Sequence, residues 1–248
     1  MNTQIGFDRC LSFINCQLQS QPQPGRYRGG ERRPVITVSR QAGSGGHTVA
    51  EHLIKLLQDP GSEDPSSWAI FDRNLVERVL LDHNLPHNLA RFMPEDRISE
   101  ISDTMDELFG LHPPSWTLVR QTADTILHLA ELGNVILIGR GANLITAKLD
   151  YSFHVRLVGS LERRVKRMQE AQQLNAKSAL EVVHREDLGR KRYLKKYFNK
   201  DIDDPLLYHL VINTDLVPCG EAARMIAQTV TSRFQDSRLD SLTTECTA

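Results

Sequence analysis

Residues 34–57, PVITVSRQAGSGGHTVAEHLIKLL, constrain what this 248-residue chain can fold into more than any other stretch. A β-branched run (Val35, Ile36, Val38) enters a glycine cluster, Gly43-Ser44-Gly45-Gly46. A helix with apolar positions at Val49, Leu53, Leu56 and Leu57 follows at once. Strand, glycine turn and helix point a row of backbone N–H groups and a helix N-terminus at one small volume, which favours an anion and most often a phosphate. Set on the phosphate-loop pattern G-x-x-x-x-G-K-[ST], the segment keeps the second glycine at Gly46 and the hydroxyl at Thr48. His47 stands where the lysine belongs, and Gln41 where the first glycine belongs. The dinucleotide pattern G-x-G-x-x-G begun at Gly43 fails at Thr48. A plain glycine turn is the competing reading of the same residues.

Short apolar runs at 68–71, 134–138, 152–158 and 210–214 predict four more strands. Helical patterns follow Asp72-Arg73, cover 98–109 and 115–132, and resume after Ser160. A long basic helix is expected over 176–199, broken or bent near Gly189, and a last helix carries Ala222, Met225, Ile226 and Val230. Strands alternating with helices imply an α/β fold with a doubly wound, parallel, five-stranded sheet. The folded domain is expected over 34–234, after a short helix and a Pro/Gly/Arg-rich flexible linker in 1–33 and before a disordered tail in 235–248.

In such a sheet ligands bind beyond the carboxyl ends of the strands. The glycine loop follows strand one, Asp72 and Arg73 follow strand two, and Arg140 follows strand three. Asp72 could contact a nucleotide group or the water shell of a metal, or it could simply cap the next helix. Arg140 lies between two glycines, and its planar guanidinium suits a phosphate bidentately. Farther along, Arg163, Arg164 and Arg167 share one helix. Asp187, Arg190, Tyr193 and Tyr197 share one helical face, with Arg185 and Arg192 beside it. A solvated face is the reading for Lys195, Lys196 and Lys200. Net charge matters here: the chain carries −1, yet residues 156–200 hold thirteen basic against five acidic side chains, a local +8 against −9 elsewhere. A basic block in a near-neutral chain points to a small anionic ligand rather than to nucleic acid or a membrane surface. Aromatics to interleave with the block are confined to Tyr193, Tyr197 and Phe198. Scattered cysteines, no apolar run near the ~20 residues of a membrane helix and no secretory leader suggest a soluble cytoplasmic protein with free thiols.

The segments VSRQAGSGGHTVAEHL, VILIGRGANLI, FHVRLVGSLERRVKR and HREDLGRKRYLKKYFNKDIDDPLLYHLVINT resemble the cytidylate kinase-like family, among the P-loop nucleoside monophosphate kinases. The similarity runs over about 34–234, and the last two segments are its most specific part. The resemblance implies a P-loop domain with a helical acceptor-binding region at 81–118 and a basic lid at 160–204. It implies ATP and Mg²⁺ as cofactors and small nucleotides as partners. Gly43, Ser44, Gly45, Gly46, His47 and Thr48 would hold the donor phosphates, with Arg163 and Arg167 beside them and Thr48 approaching the metal. Asp72, Arg73 and Arg140 would hold the acceptor. His47, Arg140, Arg185 and Arg190 would form the catalytic set, and lid closure would exclude water.

Three departures accompany the resemblance. Relatives often show arginine where this chain has His47; true cytidylate kinases carry an acid where Gly141 stands; no aspartate ends strand three. The expected function is transfer of the ATP γ-phosphate to a nucleoside monophosphate, CMP-like, or to another small acceptor. The alternative is a catalytically weak or inactive relative serving as a nucleotide-binding regulatory module. The acceptor and the oligomeric state stay open at this level.

Overall fold

The computed structural model describes residues 3–20, 33–58, 68–81, 105 and 117–245. Its elements run α1 (Thr3–Ser20), β1 (Val35–Arg40), α2 (Gly46–Leu57), β2 (Ala69–Phe71), α3 (Arg73–Leu81), α4 (Thr117–Leu132), β3 (Val135–Ile138) and α5 (Ala142–Ile145). They continue with β4 (Ser152–Val158), α6 (Leu161–Gln172), α7 (Ala176–Phe198), a 3₁₀ turn (Pro205–Leu207), β5 (Leu210–Asn213) and α8 (Cys219–Glu245). The strands form one sheet in the order β2-β3-β1-β4-β5, and every adjacent pair is parallel. This is the doubly wound α/β sheet expected from the alternation of elements.

Successive side chains of a strand face opposite sides of a sheet, and here both sides are covered. Val35, Val135, Leu137 and Phe71 enter a core shared with α1, α3 and α4. Ile36, Val38, Ile136, Ile138, Val155 and Leu157 enter a second core under α2 and α8. The continuous apolar run of β3 is therefore the consequence of burial on two faces. Gly133, with φ +66°, ends α4 and turns the chain directly into it.

The packed unit reaches farther toward the N-terminus than expected. Phe13 and Ile14 of α1 are fully buried, and the Phe13 ring meets Phe71 edge-on with centroids 6.2 Å apart. Burying each of these side chains is worth about 2 kcal/mol, enough to seat a helix that its own sequence would leave marginal. Cys10 on the same helix sits under β2 with its thiol 3.4 Å from the Ile70 carbonyl, and burial followed by the Asp72 charge pushes its pKa up to about 12. It is an inert thiol.

Two further expectations are corrected. The basic helix α7 runs unbroken through Gly189, which lies where a Cβ would meet open space. A solvent-facing glycine costs a helix about 1 kcal/mol without breaking it. The C-terminal tail is helical through Glu245 rather than disordered from 235 on, as an extension of α8. Apart from Met105, which is helical and buried, the helix expected at 98–109 lies outside the described residues, as does most of the region 81–118. Among the described residues, no helix is long and apolar enough to cross a membrane.

Candidate phosphate-binding site

The parallel sheet sends the ends of β1, β2 and β3 to one edge. At the end of β1 the chain bends through Gly43 (φ +75°) and Gly45 (φ +83°) into α2. Both conformations belong to the left-handed region that glycine tolerates. Space forbids a side chain as well: a Cβ on Gly43 would collide with the Arg164 carbonyl, and one on Gly45 would stand 2.7 Å from Cys219 Sγ. Ser44 is buried, and its backbone N–H and hydroxyl both donate to the Gln41 carbonyl, at 3.2 and 2.8 Å. No side chain caps α2, so its first-turn N–H groups face the crevice uncapped, as an anion site requires. Thr48 stands exposed in that first turn.

His47 also lies there, with Nε2 3.9 Å from Asp72 Oδ2. Desolvation of the ring, then the Arg40 charge, hold its pKa below the ordinary histidine value, so it is neutral at pH 7. The other Asp72 oxygen accepts the Leu75 N–H at 2.9 Å. One carboxylate thus caps α3, as the capping reading of Asp72 expects, and turns its other oxygen toward His47 of the loop. Arg73 is exposed and reaches Glu77 at 3.4 Å.

Arg140 departs furthest from ordinary geometry. Its φ is +56°, between Gly139 at +84° and Gly141 at +71°. A left-handed non-glycine residue costs about 1 kcal/mol or more and is concentrated at functional sites. The guanidinium is ion-paired to Glu77 and lies 5.8 Å above the Tyr193 ring, with Nε buried and unpartnered. Burial, then Arg73, lower its pKa. The absence of an acid at Gly141 has a packing counterpart: a Cβ there would stand 2.9 Å from the Phe198 ring at the end of α7.

Helix α7 brings its predicted face to the crevice. Asp187 accepts the Ala42 N–H at 2.7 Å and pairs with Arg164 at 2.6 Å and Arg190 at 3.2 Å. Arg190 also pairs with Glu186 at 2.6 Å, and Tyr193 lies beneath Arg140, 5.1 Å from the Tyr197 ring. A cavity of about 240 Å³ opens between α7 and the strand ends, lined by Arg40, Gln41, Arg156, Asp187, Arg190 and Asp203 among others. Gln41, just ahead of the glycine loop, and Arg190 line this hollow, whereas Gly43–Thr48 and Arg140 are not among its lining residues. Arg185 is not brought to it. Two residues from Asp187 is about 200° around a helix, and Arg185 is exposed on the outer side.

The arginines of α6 are placed differently. Arg163 donates to the Asp215 carbonyl at 3.0 Å, and Arg167 to the Thr214 hydroxyl and carbonyl at 2.9 and 2.6 Å and more loosely to the Gly43 carbonyl at 3.4 Å. They bind the turn after β5 to the underside of the loop. Sequence reasoning missed Arg40, Glu77 and Arg156. Arg40 ends β1, so the strand-end rule that singled out Arg140 would have found it. Arg156 is a buried charge inside an apolar strand, held by Ser39 at 2.9 Å and Asp203 at 2.8 Å.

Among the described residues no group of three or more His, Cys, Asp or Glu could hold a metal ion.

The family model described as the cytidylate kinase-like family matches residues 35–216. The cytidylate kinase of Pyrobaculum islandicum is 30% identical over 193 residues, 77% of this chain and 89% of that protein. The cytidylate kinase of Pyrobaculum neutrophilum is 31% identical over 192 residues, with the same coverage of 77% and 89%. A solved structure of an uncharacterized protein from Eubacterium ventriosum superposes with a TM-score of 0.62 at 22% identity, covering 81% of this chain and 99% of that one, and shares the fold. With the glycine loop, the Asp72 and Arg140 corner and α7 all inside the matched span, the chain belongs to the cytidylate kinase-like family.

Proposed function

We propose that this protein is an ATP-dependent phosphotransferase that moves the γ-phosphate of ATP to a nucleoside monophosphate, CMP-like, or to another small acceptor. One observation carries the reading: an uncapped helix N-terminus behind a glycine bend and a strained arginine between two glycines stand at the same edge of a parallel sheet. Phosphoryl transfer asks a protein chiefly for positioning and for neutralisation of spread negative charge, and those are the groups such work needs. In this reading the loop amides of 43–48 orient the donor phosphates, and Arg140 with Asp72 and Arg73 orients the acceptor. Arg190 on α7 lines the adjoining hollow with Arg40 and Gln41. Bound Mg²⁺, near Thr48, would neutralise phosphate charge. The cytidylate kinases of Pyrobaculum support CMP as the first acceptor to try.

The neutral His47 favours a second reading, a nucleotide-binding module with weak or no turnover. A panel of nucleoside monophosphates with ATP and Mg²⁺ separates the two. ADP is expected with at least one acceptor. Nucleotide binding without ADP across the panel would leave the module reading, and no nucleotide binding at all would remove both.

A further inference from the structure

We infer that Arg40 supplies, from the end of β1, the fixed positive charge that the phosphate-loop pattern places on its lysine. The inference rests on the nucleotide-binding reading of the same crevice and concerns a residue that reading leaves without a role.

Two glycines are occupied by this one side chain. A Cβ on Gly139, at the end of β3, would collide with Arg40 Nη1, and a Cβ on Gly46, the first residue of α2, would stand 3.0 Å from Arg40 Cγ. The side chain therefore lies across the crevice, from the start of α2 to the end of β3. It is bordered electrostatically by Asp72, Arg140, Arg190 and Glu186, and it lines the cavity under α7.

The neighbouring arginines are answered by carboxylates. Arg140 has Glu77, Arg190 has Glu186 and Asp187, Arg164 has Asp187, and Arg156 has Asp203. Among the described residues, Arg40 has no recorded ion pair or hydrogen bond for its guanidinium. A desolvated guanidinium beside two other arginines is costly unless an anion joins it. The same environment lowers its pKa to about 10, first through burial and then through Arg190, which still leaves it fully charged at pH 7. His47, at the lysine position itself, is neutral there. The charge the pattern requires has moved seven residues upstream, from the helix to the strand, and Gly46 and Gly139 leave it room.

The test is calorimetric titration of ATP with Mg²⁺, and of tripolyphosphate alone, into the wild type, Arg40→Met, Arg40→Lys and His47→Ala, with thermal melts of each. Methionine keeps the stem that packs on Gly46 and removes the charge. Arg40→Met is expected to weaken both ligands about tenfold or more, as loss of a charged phosphate contact does. Arg40→Lys should recover most of that loss, and His47→Ala should cost less than Arg40→Met. An Arg40→Met protein that melts like the wild type and binds both ligands as well would overturn the assignment, and so would a larger loss from His47→Ala. A wild type that binds neither ligand would instead bring down the nucleotide reading itself.

Discussion

The arginines of α6 and those at the strand ends look interchangeable as sequence, yet the fold uses them in opposite ways. Arg164 and Arg167 give their hydrogens chiefly to main-chain carbonyls of Gly159, Ala42, Gly43 and Thr214, and Arg164 adds one to the carboxylate of Asp187 at 2.6 Å. Arg140 and Arg190 give theirs to the carboxylates of Glu77, Glu186 and Asp187. A carbonyl in a turn cannot leave, so the first pair is part of the frame of the glycine loop. A carboxylate on a helix surface can swing aside for a phosphate, so under the proposed function the second pair would hold an anion site closed with exchangeable ions. The partner, not the residue type, separates scaffold from site.

The largest effect that would break this comparison is expected from Arg164→Ala. It leaves two main-chain carbonyls without a donor and Asp187 with only the more distant Arg190, and removal of one partner of a buried pair costs about 4 kcal/mol. Denaturant melts should show that loss; a cost under about 1 kcal/mol would put Arg164 with the exchangeable set. Gly43→Ala comes next. The left-handed backbone and the collision with the Arg164 carbonyl should together cost about 2 kcal/mol, with nucleotide affinity falling as the loop shifts. Arg140→Gly should do the reverse. Stability stays within about 1 kcal/mol because the strained φ is relieved as the ion pair is lost, while affinity for a monophosphate falls about tenfold. If the variant failed to fold instead, Arg140 would be scaffold. Glu77→Gln should have the smallest effect, raising phosphate affinity about threefold and changing stability by about 0.5 kcal/mol, because it removes only a competing anion.

These melts belong at neutral pH. Burial, then His209 and Arg233, hold the folded pKa of His154 at about 4 against an ordinary 6.5. The folded state therefore resists a proton that the unfolded state accepts. The stability this gives is full above pH 6.5 and is lost as pH falls from 6.5 toward 4.

Most of the architecture was legible in the order of residues, because it depends on local patterns. The five strands follow from apolar runs bounded by glycines and acids, and β4 falls at the residues its pattern marks, Ser152 to Val158. The glycine bend was legible too, since few residues other than glycine accept the backbone angles at 43 and 45. What failed was local reasoning about things that are not local. Gly189 suggested a break, but a helix pinned at Asp187, Tyr193 and Phe198 by contacts across the crevice has no reason to bend at an exposed glycine. The first helix read as an appendage, because nothing in residues 1–19 announces that Phe13 finds Phe71.

By itself the sequence determined that a parallel sheet would carry a glycine bend after its first strand, and that Arg140 would stand at the end of its third. Only the tertiary structure decided which arginines bind carbonyls, which bind carboxylates, and that Arg40, unlike Arg140, Arg156, Arg164 and Arg190 around it, has no recorded ion pair among the described residues. The reason is physical: backbone angles and apolar periodicity are set within a few residues, whereas the counter-charges of Arg140, Arg156 and Arg164 (Glu77, Asp203 and Asp187) come from other elements 63, 47 and 23 residues away.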